Sequence, residues 1–229
     1  MKRQFIAAID SSFFTARDFA NGIHAYPLQR LYEEVEPSIV LRQREALETD
    51  TSYRQILPYK IITQWIDGET KIIAYRRLKS GGESRLYGLM SIGFGGHIDL
   101  EDVVFKNSIV DLETTVRNSS RREIGEEVLS VSNDIAAPYE PTENEIIPAN
   151  LFIHYNLRDK LGAEWSVNKD VHSVHVAFVY TILANPDLTF LSGEPDQIEM
   201  LEPMTPKELL NSGMEMEEWT RLLLEHFVK

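Results

Sequence analysis

The chain has 229 residues, 43% of them apolar, enough for one large domain or one domain with extensions. With 23 basic against 36 acidic residues the formal net charge is −13, which argues against a nucleic-acid backbone or an anionic membrane as the main partner. Cysteine is absent, which excludes a disulfide, a thiolate nucleophile and a cysteine zinc site, and suits the reducing cytoplasm taken as the location.

The first apolar run, Phe5 to Ile9, is broken by Asp10, so it does not read as a signal peptide. The run from Val174 to Leu183 is too short to span a bilayer. Residues 4–9 are β-prone and predict a first strand. Pro27 to Glu36 predicts a short helix, with Pro27 tolerated in its first turn. Residues 38–48 suit strand and helix equally. Gln55 to Ile66 predicts a strand, Asp67-Gly68 a hairpin turn, and Thr70 to Leu78 the returning strand. Ser80-Gly81-Gly82 marks a loop, and Leu86 to Phe94 a third strand ending in Gly95-Gly96.

A helix follows over about Val110 to Leu129. Ile109, Leu112, Val116, Ile124 and Val128 keep helical spacing around a polar middle. Residues 132–149 are rich in Pro, Asn and Asp and predict a long loop, of the kind that is often functional. Leu151 to Leu157 and His172 to Leu183 predict paired strands. Pro206 to Asn211 and Glu215 to Phe227 predict helices separated by Gly213. Strands and helices mix without βαβ regularity, which predicts the α+β class or a three-layer sandwich with a mixed sheet.

The chemistry concentrates in Arg122-Glu123-Ile124-Gly125-Glu126-Glu127-Val128. On a helix Glu123, Glu126 and Glu127 stand at i, i+3 and i+4 and point the same way. Like charges so placed cost a few tenths of a kcal/mol per pair, and a bound cation reverses the sign. Oxygen-only ligands at this density suit Mg²⁺ or Mn²⁺, not zinc. Taken alone, the same residues also describe the solvated face of an acidic helix.

Around this cluster the residues resemble the Nudix hydrolase signature, in which Gly, five residues, Glu and seven residues lead to Arg-Glu-(apolar)-x-Glu-Glu. The second half matches Arg122 to Glu127, and Gly95-Gly96 follows a predicted strand as the opening glycines do. The nearest likeness is to a MutT-type subgroup described as predicted phosphoesterases. It shares a Gln-(apolar)-(apolar)-Pro-Tyr strand, here Gln55 to Tyr59, and a Ser-Ile-Gly-x-Gly-Gly-His run, here Ser91 to His97. Tyr75-Arg76-Arg77 before the box and Met204 to Leu209 after the last strand agree too. The likeness covers roughly residues 50–210. Counted from Gly96, the arginine falls at position 122 instead of 110, so the box is interrupted. The slot of the first glutamate is Thr114 counted back from Arg122, next to Glu113, or Asp102 counted forward. The closing glycine is Leu129.

The resemblance implies a Nudix-type α/β/α sandwich over residues 51–229, with residues 1–50 as an N-terminal extension packed on it. It implies hydrolysis of a diphosphate linkage in a nucleotide-type substrate by attack of a metal-bound water. Glu123, Glu126, Glu127 and the carbonyl of Gly95 or Gly96 would hold Mg²⁺ or Mn²⁺, and Arg122 would hold a carboxylate of the box. Arg77 and His97 would meet the substrate, and Glu143 or Glu145 could supply a base from the long loop. Arg76 and Arg85 are further cations beside the box; surface pairing explains Arg76, Arg77 and Arg85 equally well. His172 and His175 read as structural, and Trp165, Tyr139 and Phe152 as core aromatics or base-stacking groups. A phosphorylated small molecule is the expected ligand, a homodimer is possible, and a non-catalytic ligand-sensing module is the alternative function.

Overall fold

The computed structural model describes residues 4–79, 86–155 and 171–229. The chain divides into two compact units, each assembled from separated segments. The first holds residues 1–59, 96–120 and 148–179, and the second holds residues 60–95, 121–147 and 180–229. Strands and helices intermix in both, so the α+β class is borne out.

In the first unit, β1 (Phe5–Asp10) pairs antiparallel with β3 (Ile39–Gln43) from Phe5↔Gln43 to Ile9↔Ile39. Its other edge meets β4 (Tyr53–Ile66) only through Ala8↔Gln55, Ile9↔Arg54 and Asp10↔Tyr53. Pro58 lies beyond that ladder, where its missing N–H breaks no pair with β1. The sheet continues through β13 (His175–Ala184), β12 (Ile146–His154) and β2 (Gly22–Ala25). A short helix α1 (Ser12–Ala16) follows β1, and α3 (Arg44–Leu47) follows β3. Helix α2 (Leu28–Val35) buries Leu28, Leu31, Tyr32 and Val35, the i, i+3, i+4, i+7 stripe of an amphipathic helix. A small hairpin, β8 (Phe105–Lys106) and β9 (Ile109–Val110), precedes the long helix.

Helix α4 (Leu112–Glu127) starts at Asp111, whose carboxylate accepts the Thr114 N–H at 3.1 Å as an N-cap. Its polar middle has a packing reason. Thr115 beside Val116, and Ser119 and Ser120 between Val116 and Ile124, are buried, so small hydroxyl residues continue the stripe.

In the second unit β4 runs on to a turn at Asp67 and Gly68, with φ of 53° and 82°, and β5 (Glu69–Ile72) returns in register Ile66↔Glu69. The predicted returning strand stops there. Beyond it, β6 (Tyr75–Arg77) joins a different sheet, between β15 (Ile198–Met200) and β7 (Met90–Ser91). The predicted strand Leu86 to Phe94 reduces to β7 and an isolated bridge between Phe94 and Lys60.

The predicted loop over 132–149 is also corrected. Helix α4 passes directly into β10 (Val128–Ser132), which turns at Asn133 and Asp134 into β11 (Ile135–Pro138), and β12 already begins at Ile146. Both turn residues have positive φ, 50° and 63°, as a type I′ hairpin turn demands. Replacing Asp134 by glycine should remove strain at the second position and raise Tm by about 2 °C, for a gain near 0.5 kcal/mol measured by thermal unfolding.

Strand β14 (Thr189–Ser192) pairs with β10 from Val128↔Ser192 to Val131↔Thr189. Helices α5 (Pro206–Asn211) and α6 (Glu218–Phe227) close the chain, α5 with a Thr205–Glu208 capping box. The unit's core joins Ile62, Ile73, Tyr75, Phe94, Ile124, Val128, Tyr139, Ile182 and Phe190. Tyr139 and, in the first unit, Phe152 are buried, so both serve packing.

Candidate functional site

The last turn of α4 carries the acidic cluster into the second unit. Ile124 is buried in the core; of the three glutamates around it Glu126 is exposed, and Glu123 and Glu127 are half-buried. Arg122 Nη1 donates to Glu123 Oε1 at 2.7 Å and lies 3.6 Å from Glu126 Oε2. Glu126 is the most solvated of the three, with 58% of its side chain exposed.

Glu127 differs from its neighbours. It is half-buried as a residue, and its carboxylate is shielded and accepts the Gly95 N–H at 2.8 Å. Gly95 has φ 145°, a conformation that side-chain-bearing residues rarely adopt, which gives the glycine at this place its reason. Burial first, and the neighbouring Glu123 charge second among the raising causes, push the Glu127 carboxyl up to about 8. Lys60, Arg77 and the Gly95 N–H pull the other way. Lys60 is fully buried in the apolar middle of β4.

The end of α4 is held by the loop after β14. The Gly193 N–H donates to the Glu127 carbonyl at 2.8 Å, which satisfies one of the orphan carbonyls of a helix C-terminus. A Cβ on Gly193 would fall within the radius of the Glu126 carbonyl oxygen. The next residue, Glu194, has its carboxyl pushed up by burial and by the Glu123 charge.

Arg77 lies in β6, where its Nε donates to Glu217 Oε1 at 2.6 Å. Ser91 Oγ donates to the other oxygen of the same carboxylate at 3.1 Å. Among the described residues the Arg77 guanidinium shows no hydrogen bond beyond the one to Glu217. Arg76 forms a loose surface pair with Glu199 at 3.5 Å. Arg85 and Trp165 lie outside the described residues.

The remaining candidates sit elsewhere. Glu143 is exposed and paired with Arg121 at 3.2 Å, and Glu145 accepts the Thr142 N–H at 2.6 Å within its own turn. In the first unit Gly96 continues the chain from Gly95, and His97 brings its Nε2 to 3.3 Å from His175 Nε2. Residue 172 lies in a single 3-10 turn ahead of β13, not in the strand itself. The alternatives for the first glutamate are both engaged. Glu113 pairs with Arg117 at 2.7 Å, and buried Asp102 accepts the Asp99 N–H at 2.9 Å.

Among the described residues no three side chains of metal-binding type converge on one point. The donor set nevertheless fits a hard divalent cation. It is all oxygen, it places three carboxylates within five residues of one helix, and burial, followed by the Glu123 charge, pushes up the carboxyl of its most shielded member. Lys60, Gly193, Glu194 and Glu217 were not singled out from the sequence. A lysine inside the strand Gln55 to Ile66 was the one available signal, because lysine is almost never fully buried without a partner.

No family model matches the chain. Protein YmaB of Bacillus subtilis (strain 168) is 29% identical over 143 residues, which cover 59% of this chain and 64% of that protein. The match therefore spans less than two thirds of that relative's length. The crystal structure of Tm1382, described as "a putative Nudix hydrolase", superposes with a TM-score of 0.67 at 19% identity and covers 98% of both chains. This chain has the Nudix fold.

Proposed function

We propose that the chain is a Nudix-type pyrophosphohydrolase that cleaves a diphosphate linkage in a nucleotide-type substrate. Mg²⁺ or Mn²⁺ would be held by Glu123, Glu126 and Glu127. The observation that carries this reading is the Glu127 carboxylate, shielded beside Glu123 at the end of α4 and hydrogen-bonded to the backbone of Gly95. A shielded carboxyl whose charged form burial and a neighbouring carboxylate disfavour costs the fold, and a bound cation would offset both. The fold shared with Tm1382 supports the same reading.

A divalent cation bound there supplies a water of lowered pKa and neutralises charge on phosphate oxygens. The protein's own residues do the positioning. Arg122 fixes Glu123 and limits the swing of Glu126. Gly95 and Gly193 hold Glu127 from its side chain and its carbonyl. Arg77, oriented by Glu217, offers its remaining N–H groups to a phosphate. Glu194, with its raised carboxyl, stands as a proton acceptor.

A second reading, a sensing module without turnover, draws on the interrupted box. Of the two candidates for the first glutamate, Glu113 sits in an exposed pair with Arg117 and Asp102 accepts the Asp99 N–H of its own turn. A panel of nucleoside diphosphate-linked compounds and nucleoside triphosphates with Mg²⁺ or Mn²⁺, followed by ³¹P NMR, separates the two. Release of phosphate or a phosphomonoester supports the hydrolase, and tight binding without product supports the sensor. On a substrate that turns over, Glu126→Gln should lower the rate about tenfold to a hundredfold.

A further inference from the structure

Two histidines of the first unit meet edge to edge. The Nε2 atoms of His97 and His175 lie 3.3 Å apart, although the residues are 78 positions apart in the chain. Their ring centroids are 5.4 Å apart and the ring planes are inclined at 51°. The centroids are farther apart than the Nε2 atoms, so the rings present their Nε2 edges to each other and do not stack.

Both residues are held from the backbone. His175 is the first residue of β13 and is buried. The His97 carbonyl accepts the hydroxyl of buried Ser119 at 3.4 Å. The carbonyl of the next residue, Ile98, accepts the Ala7 N–H of β1 at 2.9 Å, and Asp99 bridges to Ile6. His97 itself is half-buried, so solvent reaches the pair from its side. Two neutral imidazoles come this close in two ways. One Nε2–H donates to the other Nε2, or both Nε2 lone pairs face one cation. The separation of 3.3 Å favours the second. N–H hydrogen bonds usually span roughly 2.7–3.2 Å. Two Zn–N bonds of about 2.05 Å at the tetrahedral angle place their nitrogens about 3.3 Å apart.

We propose that the first unit binds one divalent cation of the zinc class between Nε2 of His97 and Nε2 of His175. A nitrogen-only pair selects zinc, nickel or copper over Mg²⁺. Among the described residues no third His, Asp or Glu completes the set, so water fills the other positions. With two protein ligands the cation acts as a clamp. It ties the segment after Gly96 to the start of β13, and its binding energy adds to the stability of the fold. This site uses none of the glutamates on α4 and does not rest on the hydrolase reading.

Zinc is the probe. The full chain is titrated with Zn²⁺ by calorimetry, with excess Mg²⁺ present to keep zinc off the carboxylates of α4. One saturable site is expected, and the melting temperature should rise by a few degrees as it fills. His97→Ala should weaken that site at least about tenfold and abolish the rise, because half of the protein ligands are gone. No saturable zinc binding, or binding and a rise that survive His97→Ala, would overturn the proposal. Should the variant fail to fold, a zinc soak of wild-type crystals decides. An anomalous peak at the zinc edge within bonding distance of both Nε2 atoms supports the site, and none there overturns it.

Discussion

Glu127→Gln is expected to lower kcat/KM by at least about a hundredfold while leaving the protein as stable as the parent or more so. Loss of a ligand carboxylate costs metal affinity and the charge that positions the cation. Glutamine has the same shape, and its carbonyl can still accept the Gly95 N–H that the carboxylate accepts at 2.8 Å. It removes an ionisable group whose charged form burial, and then the Glu123 charge, disfavours. A purely structural role would give the opposite pairing, with stability and activity falling together.

The same group sets a pH dependence. Its folded pKa, about 8, lies above the ordinary carboxylate value, so the folded state binds this proton more tightly than the unfolded chain. The stability this contributes is fully present below the unfolded pKa and is lost as pH rises through the folded one. With chelator present, the Tm advantage of Glu127→Gln should therefore grow between about pH 5 and pH 8. Saturating Mg²⁺ should shrink it, since the cation replaces the proton.

Gly193→Ala is expected to destabilise by about 3 kcal/mol, seen as a fall of roughly 6–12 °C in Tm. A Cβ there meets the Glu126 backbone carbonyl, which cannot rotate away as a side chain can. Relief requires the end of α4 to move from β14, which breaks the Gly193 to Glu127 hydrogen bond and disturbs the Val128↔Ser192 pairing. The shift displaces Glu126 and Glu127, so activity should fall as well. Gly125, on α4 itself, is the control. A Cβ there finds only Pro138 Cβ, at 4.0 Å, so Gly125→Ala should be neutral or mildly stabilising.

What could be read from the sequence was what short-range pattern controls. Helix α4 fell within its predicted span because Leu112, Val116, Ile124 and Val128 repeat at helical spacing. The Asp67-Gly68 turn was legible from its dipeptide. The Asn133-Asp134 turn carries the same mechanism in a weaker dipeptide, and the polar composition around it hid the hairpin. The break between β5 and β6 was invisible, because Thr70 to Leu78 stays β-prone while its partners change from β4 to β15 and β7.

At the site, the spacing of Glu123, Glu126 and Glu127 announced itself, but their surroundings did not. Glu217 and Glu194 reach the site through pairings far apart in sequence, such as Arg77 with Glu217 and β10 with β14. Local pattern holds no record of such contacts. Gly193 looks like any loop glycine until the carbonyl of Glu126 is placed against it.

The central claim is that the glutamates of α4 hold a divalent cation. Its most direct test is a titration of the purified chain with Mn²⁺, followed by electron paramagnetic resonance of the free ion. The free signal should be suppressed saturably, should return on addition of excess Mg²⁺, and should be suppressed far less by Glu127→Gln. A free-ion signal that grows in proportion to added Mn²⁺, the same with protein as without it, would contradict the claim.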